Sequence, residues 1–248
     1  MSKKRLVIGD VHGHYTALSE LFHNIAPSQE DEIYFLGDLI DRGSQSAEVV
    51  NFVMENNYNC ILGNHEIMLL DALATDKINP QVFQGWLQNG GNATIASYGH
   101  KMLPPDHLAW FKSLPLYFDL GDYWLVHAGV DPYLPIEEQS STQFCWIRRS
   151  FHDSKQPYFS DKTIIIGHTI TFTFKGIKSG QLACGEGWIG IDTGVYHHEQ
   201  GWLTALDLNE LMVYQVNSFG KNFRKIPLEQ TVMNVNKSCY IKLTHSYL

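Results

Sequence analysis

The chain has 248 residues, with 18 Lys and Arg against 26 Asp and Glu and a formal net charge of −8. That length fits one large domain or two small ones and can bury enough surface to need no disulfide framework, while the acidic balance makes nucleic acid and anionic membrane poor partners. Only Leu6-Val7-Ile8 follows the basic Met1–Arg5 start, and no run approaches the ~18 apolar residues of a spanning helix, so a soluble, cytoplasmic and monomeric protein is expected.

In chain order, residues 5–9 form a short apolar strand, and Ala17, Leu18, Leu21, Phe22 and Ile25 then recur at helical spacing. Residues 33–36 read as a second strand, followed by a helix over 47–55 that buries Val49, Val50 and Val53, with Ser44 or Ser46 as its cap. Residues 58–62 make a third strand and 65–74 a third helix. This alternation argues for parallel strands joined by crossover helices. Residues 76–116 break it with Pro80, Asn89-Gly90-Gly91, Gly99 and Pro104-Pro105, and read as a helical insertion over one rim rather than a separate domain. Strands return at 123–126, 163–166, 188–191, 202–208 and 211–216, several joined by short links as in a mixed or antiparallel sheet. Residues 217–248 extend the same domain, and there Lys221, Arg224, Lys225, Lys237 and Lys242 face only Glu229.

One pattern recurs where strands end: a Gly beside Asp, His or Asn opens the next loop. It appears as Gly9-Asp10-Val11-His12-Gly13, Gly37-Asp38-Leu39-Ile40-Asp41-Arg42-Gly43, Gly63-Asn64-His65-Glu66, His127-Ala128-Gly129 and Gly167-His168-Thr169. Ligands of open α/β sheets bind beyond the carboxyl ends of strands, so the five loops are expected to converge on one rim. Asp10, His12, Asp38, Asn64, His127 and His168 supply carboxylate, amide and imidazole donors and no thiolate, a set suited to Mn²⁺, Fe or Zn²⁺. Six ligands exceed one open catalytic ion but fit two, if one carboxylate bridges them. Two divalent ions against Asp10 and Asp38 leave a positive well for a phosphate dianion, to which Arg42 offers a bidentate fork. His65 neighbours Asn64 yet neither ion needs it; it is placed to protonate a leaving alkoxide, with Asp41 orienting the ring.

Other residues have plainer readings. Cys60, Cys145, Cys184 and Cys239 form no CxxC pair and read as reduced, buried thiols. His14 reads as a rim or helix-start residue, His23 as solvated, His100, His107 and His152 as loop or surface residues, and His197-His198 as a turn. Glu66 reads as a charge favouring a helix N-terminus. Trp86 is a candidate for the lid, and the remaining tryptophans are expected in the core.

These motifs closely resemble the phosphoprotein-phosphatase family of calcineurin-like metallophosphoesterases, most nearly its small bacterial and phage-lambda-type members. Asp10-Val11-His12, the Gly37-to-Gly43 run and Gly63-Asn64-His65-Glu66 match its three motifs, and His127 and His168 look like its two isolated histidines. Trp86 with Asn89-Gly90-Gly91, Ile136-Glu137-Glu138-Gln139, Trp146-Ile147-Arg148 and Ile191-Asp192-Thr193-Gly194 are further likenesses, so that the resemblance covers residues 6–208. It implies an α/β (α+β) fold, a four-layer αββα sandwich of two mixed sheets flanked by helices, with residues 1–216 as the catalytic domain. It also implies in-line attack at phosphorus by hydroxide bound to two divalent ions, Mn²⁺ first, with Fe, Zn²⁺ or Co²⁺ as alternatives. Asp10, His12 and Asp38 would hold the first ion; Asp38, Asn64, His127 and His168 would hold the second, with Asp38 bridging. His65 would be the general acid with Asp41 behind it, and Arg42, Arg148 and Asn64 would face the substrate phosphate. Arg149 stands where relatives often carry an acidic residue and competes with Arg148 for that role.

The activity so implied is that of a serine/threonine phosphoprotein phosphatase, with tyrosine also in reach, acting on a phosphorylated protein or small phosphoester. The alternative is symmetrical hydrolysis of dinucleoside polyphosphates such as diadenosine tetraphosphate. That sister group usually carries Ala in place of Asp41 and Asp in place of Glu66. An inactive scaffold of the same fold is a third reading, against which every ligand and the acid are present.

Overall fold

The computed structural model describes residues 3–73, 79–101, 103–217 and 221–235. In chain order its first half supplies β1 (Arg5–Ile8), α1 (Tyr15–Ile25), β2 (Glu32–Phe35), α2 (Ser46–Glu55), β3 (Asn59–Cys60), α3 (Asn64–Ala72), α4 (Pro80–Trp86), α5 (Asn92–Ser97) and α6 (Pro105–Ser113). The second half supplies β4 (Tyr117–Asp119), β5 (Tyr123–Val126), α7 (Ser141–Trp146), α8 (Arg149–His152), β6 (Thr163–Ile166), β7 (Leu182–Gly185) and β8 (Trp188–Gly190). It then closes with β9 (Trp202–Asp207), β10 (Met212–Asn217), β11 (Phe223–Pro227), α9 (Leu228–Thr231) and β12 (Val232–Asn234).

The strands form two six-stranded mixed sheets, ordered β11-β10-β9-β1-β2-β3 and β12-β7-β8-β6-β5-β4. Side chains alternate across a strand, and this alternation builds the layers. Leu6 and Ile8 of β1 pack into a cluster with Leu18, Leu21, Val49 and Val53 of α1 and α2. Val7, between them, joins Tyr34, Leu125, Ile165 and Ile189 in a second cluster, between the two sheets. On the far side of the second sheet, Ile164, Ile166 and Trp188 pack with Phe144, Cys145 and Phe151 of α7 and α8. The result is the expected four-layer sandwich. Among the described residues no helix is long and apolar enough to cross a membrane.

Several local expectations are corrected. Ser46 does not cap α2, whose cap position is Gln45 without a side-chain bond; the Ser46 hydroxyl instead accepts the Asp41 N–H at 3.2 Å. Strands β4, β7, β11 and β12 add to those that the sequence pattern predicts. β4 and β12 have three residues each, and the Leu-Ala-Cys-Gly of β7 lacks the branched and aromatic residues that signal a strand. The basic stretch is partly built in: β11 pairs with β10 and β12 with β7, one on each sheet. Arg224 donates to Gln215 Oε1 at 2.8 Å and to the Gly180 carbonyl at 3.0 Å. Lys237, Cys239, Lys242 and His245 lie outside the described residues. Cys60, Cys145 and Cys184 are buried, as expected, and Cys60 and Cys145 are in no disulfide. Trp146, expected in the core, is 42% exposed.

His107 and His152 are buried rather than on the surface. His107 Nδ1 meets the Tyr98 hydroxyl at 2.9 Å, and the His152 ring packs against Phe151, Phe174 and Trp188. Burial pushes the His152 imidazole down to about 4, and Arg148 adds to the shift. Near neutral pH the ring is uncharged in both folded and unfolded chains. As pH falls from ~6.5 toward ~4, the unfolded chain takes up a proton that the folded protein refuses, and stability declines. His152→Leu is therefore expected to remove about 2 kcal/mol of the stability lost between neutral pH and pH ~4.5. Urea midpoints at the two pH values check this; equal acid losses in both proteins would contradict it.

Candidate active site

β1, β2 and β3 are parallel in one sheet, and β5, β6 and β8 are parallel in the other. The loops after all six meet at one rim, which brings every predicted ligand together. Hydrogen bonds stitch the two sheets across this rim. His127 Nδ1 donates to the Leu36 carbonyl at 2.7 Å, the Gly167 N–H donates to the His127 carbonyl at 2.8 Å, and the His168 N–H meets both Asp10 oxygens at 3.1 Å. Gly167 is required here, because a Cβ at this position would overlap Asp10 Oδ1. His12, Asp38, Asp41, Arg42 and His168 all have left-handed φ angles, from 46° to 71°, a conformation that non-glycine residues hold only where the surroundings enforce it.

Asp10, His12, Asp38, Asn64, His127 and His168 are all buried. Asp38 stands at the middle: its Oδ2 lies 3.6 Å from His12 Nε2 and its Oδ1 lies 3.4 Å from His127 Nε2. Among the described residues two groups of donors could hold a metal ion, His12-Asp38-His65 and Asp38-His127-His168, and Asp38 belongs to both. Asp10 Oδ2 is 4.0 Å from His12 Nε2, and Asn64 Oδ1 lies 2.9 Å from His127 Nε2 and 2.8 Å from His168 Nδ1.

The chemistry of these donors fits metal ions. His127 gives its Nδ1 proton to Leu36 and His12 gives its own to the Ile40 carbonyl at 2.9 Å, so each neutral ring turns a lone pair on Nε2 inward, that of His12 toward the Arg42 guanidinium and Asp38 and that of His127 toward Asn64 Oδ1. A buried lone pair that faces an oxygen acceptor, as His127 Nε2 faces Asn64 Oδ1, calls for a cation between them. Burial holds the imidazoles of His12, His127 and His168 below their usual range, in the neutral form that binds metal. Burial works against the Asp38 carboxylate, yet its pKa is lowered within the ring of imidazoles, where His65, drawn toward its protonated form, and the His65 backbone N–H favour the charged carboxylate. Asp10 is pushed up by burial, by Asp192 and by Asp38; Asp192, buried beside it, reaches about 6 chiefly through burial.

His65 Nδ1 meets Asp41 Oδ2 at 2.7 Å. Burial opposes protonation of this ring, yet Asp38 and the Asp41 hydrogen bond prevail and raise its pKa above the usual histidine value. The Arg42 guanidinium reaches into the same space, 3.0 Å from His65 Nε2 and 2.8 Å from His12 Nε2. Arg148 Nη1 donates to Thr169 Oγ1 at 2.8 Å and to the His168 carbonyl at 3.4 Å. Arg149 turns away and lines a separate cleft of about 800 Å³ with Tyr133, Lys155 and Tyr158. Structure thus sets Arg148, and not Arg149, beside the ligand loops.

Several residues have roles the sequence reading missed. The fully buried Glu66 accepts the backbone N–H groups of Asp38 and Leu39, each at 2.8 Å, and of Gly63 at 3.0 Å. It therefore clamps the Asp38 loop to α3, beyond favouring a helix end; burial first, then Asp38, pushes it up to about 7. Tyr196 lies under Arg42, whose guanidinium carbon is 4.0 Å from the ring centroid. Trp86 is no lid residue: it is 1% exposed and its indole N–H reaches both Asp41 oxygens, at 3.1 and 3.0 Å. Gly90 has φ 109° and accepts the Arg42 N–H at 3.2 Å, and a Cβ there would stand 2.7 Å from the Arg42 nitrogen. Gly90→Ala is expected to cost about 2 kcal/mol of stability through backbone strain and to weaken inhibition by inorganic phosphate several-fold; unchanged melting temperature and phosphate inhibition would contradict this.

Comparison with known proteins gives this geometry a context. Residues 3–188 match the calcineurin-like phosphoesterase family. Serine/threonine-protein phosphatase 2 of Escherichia coli (strain K12) is 27% identical over 174 residues, covering 65% of this chain and 78% of that protein. A symmetrical bis(5'-nucleosyl)-tetraphosphatase of Actinobacillus pleuropneumoniae serotype 5b (strain L20) is 33% identical over 133 residues, covering 51% of this chain but only 45% of that relative. The solved structure of a candidate diadenosine tetraphosphatase superposes with a TM-score of 0.61 over 92% of this chain and 94% of its own, at 18% identity, which is a likeness of fold. With more than half of its length matched and the paired donor groups in place, the chain belongs to the calcineurin-like metallophosphoesterases, hydrolases that depend on two metal ions.

Proposed function

We propose that the protein is a phosphomonoesterase acting on phosphorylated serine or threonine, with tyrosine also within reach, and that residues 1–216 carry the catalysis. The observation that carries this reading is the buried Asp41–His65 pair at 2.7 Å. A serine or threonine alkoxide is a strong base and leaves only with a proton, whereas the phosphate released from a polyphosphate departs as a stable anion. A dedicated acid is therefore of most use to a phosphomonoester of an aliphatic alcohol. Asp10, His12 and Asp38, and Asp38, Asn64, His127 and His168, would hold two divalent cations, Mn²⁺ by preference. Bound there, such ions offset phosphoryl charge and acidify water. Arg42 and Arg148, with Asn64 beside them, bind the phosphoryl oxygens. His65 passes its Nε2 proton to the leaving oxygen while Asp41 keeps hold of Nδ1.

Symmetrical hydrolysis of a dinucleoside tetraphosphate is the second reading, supported by the 33% identity to a tetraphosphatase. A Mn²⁺-supplemented panel of phosphoserine, phosphothreonine and phosphotyrosine peptides beside diadenosine tetraphosphate separates the two. Phosphopeptide turnover is expected to dominate kcat/KM. A preference for the dinucleotide overturns the first reading, and no turnover of any substrate by metal-loaded protein points to a scaffold.

A further inference from the structure

We propose that Trp86 and Thr94, delivered by the helical insertion, are positioning residues that aim Asp41 at His65. This rests on the reading of His65 as the acid. The Asp41 carboxylate is fully buried, and His65, Trp86 and Thr94 all donate to it. Oδ2 takes His65 Nδ1 at 2.7 Å and the Trp86 indole N–H at 3.0 Å. Oδ1 takes the Thr94 hydroxyl at 2.6 Å and the same indole N–H at 3.1 Å. Thr94 Oγ1 also accepts the Asp41 backbone N–H at 2.9 Å and meets Ser46 Oγ at 3.2 Å.

With its backbone fixed, the carboxylate can still turn about χ1 and χ2, but a turn about either that carries Oδ2 away from His65 also disturbs the indole and hydroxyl contacts. Losing a partner inside this pocket leaves a polar group without water to replace it. Asp41 itself sits at φ 71°, so its loop needs outside support to keep this shape, and the Thr94 hydroxyl supplies that support on both the main chain and the side chain. Trp86 ends α4 and Thr94 lies on α5, while Gly91 between them packs its backbone on the indole ring. The insertion is thus keyed to the acid from beneath, in addition to whatever it presents to substrate.

The test compares Thr94→Val, which conserves shape, with Thr94→Ser and Trp86→Phe on two probes: para-nitrophenyl phosphate, with a good leaving group, and phenyl phosphate, with a poor one. Both are monoesters, so the outcome does not depend on the natural substrate. Thr94→Val and Trp86→Phe are expected to lower kcat on phenyl phosphate about 10- to 100-fold, with KM and bound metal unchanged and a much smaller loss on para-nitrophenyl phosphate. Thr94→Ser should restore most of the rate. In a His65→Asn background, Thr94→Val should have no further effect, because both changes disable one unit. Equal losses on the two probes, failure of the serine variant to restore the rate, or an undiminished loss in the His65→Asn background would overturn the proposal while leaving His65 as the acid. If His65→Asn alone lost both probes equally or shed its metal, the acid reading would fall first and the positioning role with it.

Discussion

His65→Asn is expected to lower kcat on a phosphoserine peptide by about 100- to 10,000-fold, the usual contribution of a general acid, while the protein keeps its full complement of metal. Distance alone does not decide this. His65 Nε2 lies 3.9 Å from Asp38 Oδ2, and the ring belongs to a donor group with His12 and Asp38 that could itself hold an ion. Its other nitrogen, however, is committed to Asp41 at 2.7 Å, and the carboxylates around it favour its protonated form. A ligand must offer a lone pair, whereas an acid must carry a proton, and this environment favours the proton. Kinetics together with elemental analysis of the dialysed protein distinguish the two roles. Parallel loss of activity and metal would make His65 a ligand.

Asp38→Asn is expected to be more severe, releasing both ions and lowering activity by at least about 1,000-fold. Asp38 alone belongs to both donor groups. One of its oxygens also accepts the His65 N–H at 2.9 Å, and its own N–H is held by Glu66 at 2.8 Å. Asparagine keeps the size but removes the charge that offsets two cations, and it turns an N–H₂ toward one of them. Asp10→Asn provides the contrast: Asp10 stands near His12 alone among the ligand nitrogens on its side, so its loss should weaken one ion and spare the other. Retention of two ions per chain by Asp38→Asn would rule out the bridging role.

The convergence of the donor-bearing loops could be read in the sequence because each follows a strand that its own apolar run reveals, and because parallel strands deliver their loops to the same end. Trp86 and Thr94 could not, since they lie 45 and 53 residues from Asp41 and nothing local marks an indole or hydroxyl as a partner for it. Nor did the backbone of His12, Asp38, Asp41, Arg42 and His168 betray its left-handed turns, which glycine would have signalled. The burial of His152 escapes the sequence for a related reason: its polarity suggests solvent, while the rings that cover it come from Phe174 and Trp188 in later segments. Periodicity finds elements that bury one face; it has little hold on three-residue edge strands such as β4 and β12.

β1 lies between β2 and β9, and its Leu6 is in register with Asp207. A ribosome making this chain must therefore extend it by about 200 residues before the strand that carries the Asp10–His12 loop gains its second neighbour, the sort of distant pairing that slows folding. Until then the nascent β1 presents an unpaired edge. A message truncated between the His168 loop and β9 would yield a polypeptide with all the donor motifs written in it and a sheet unable to close around the first of them.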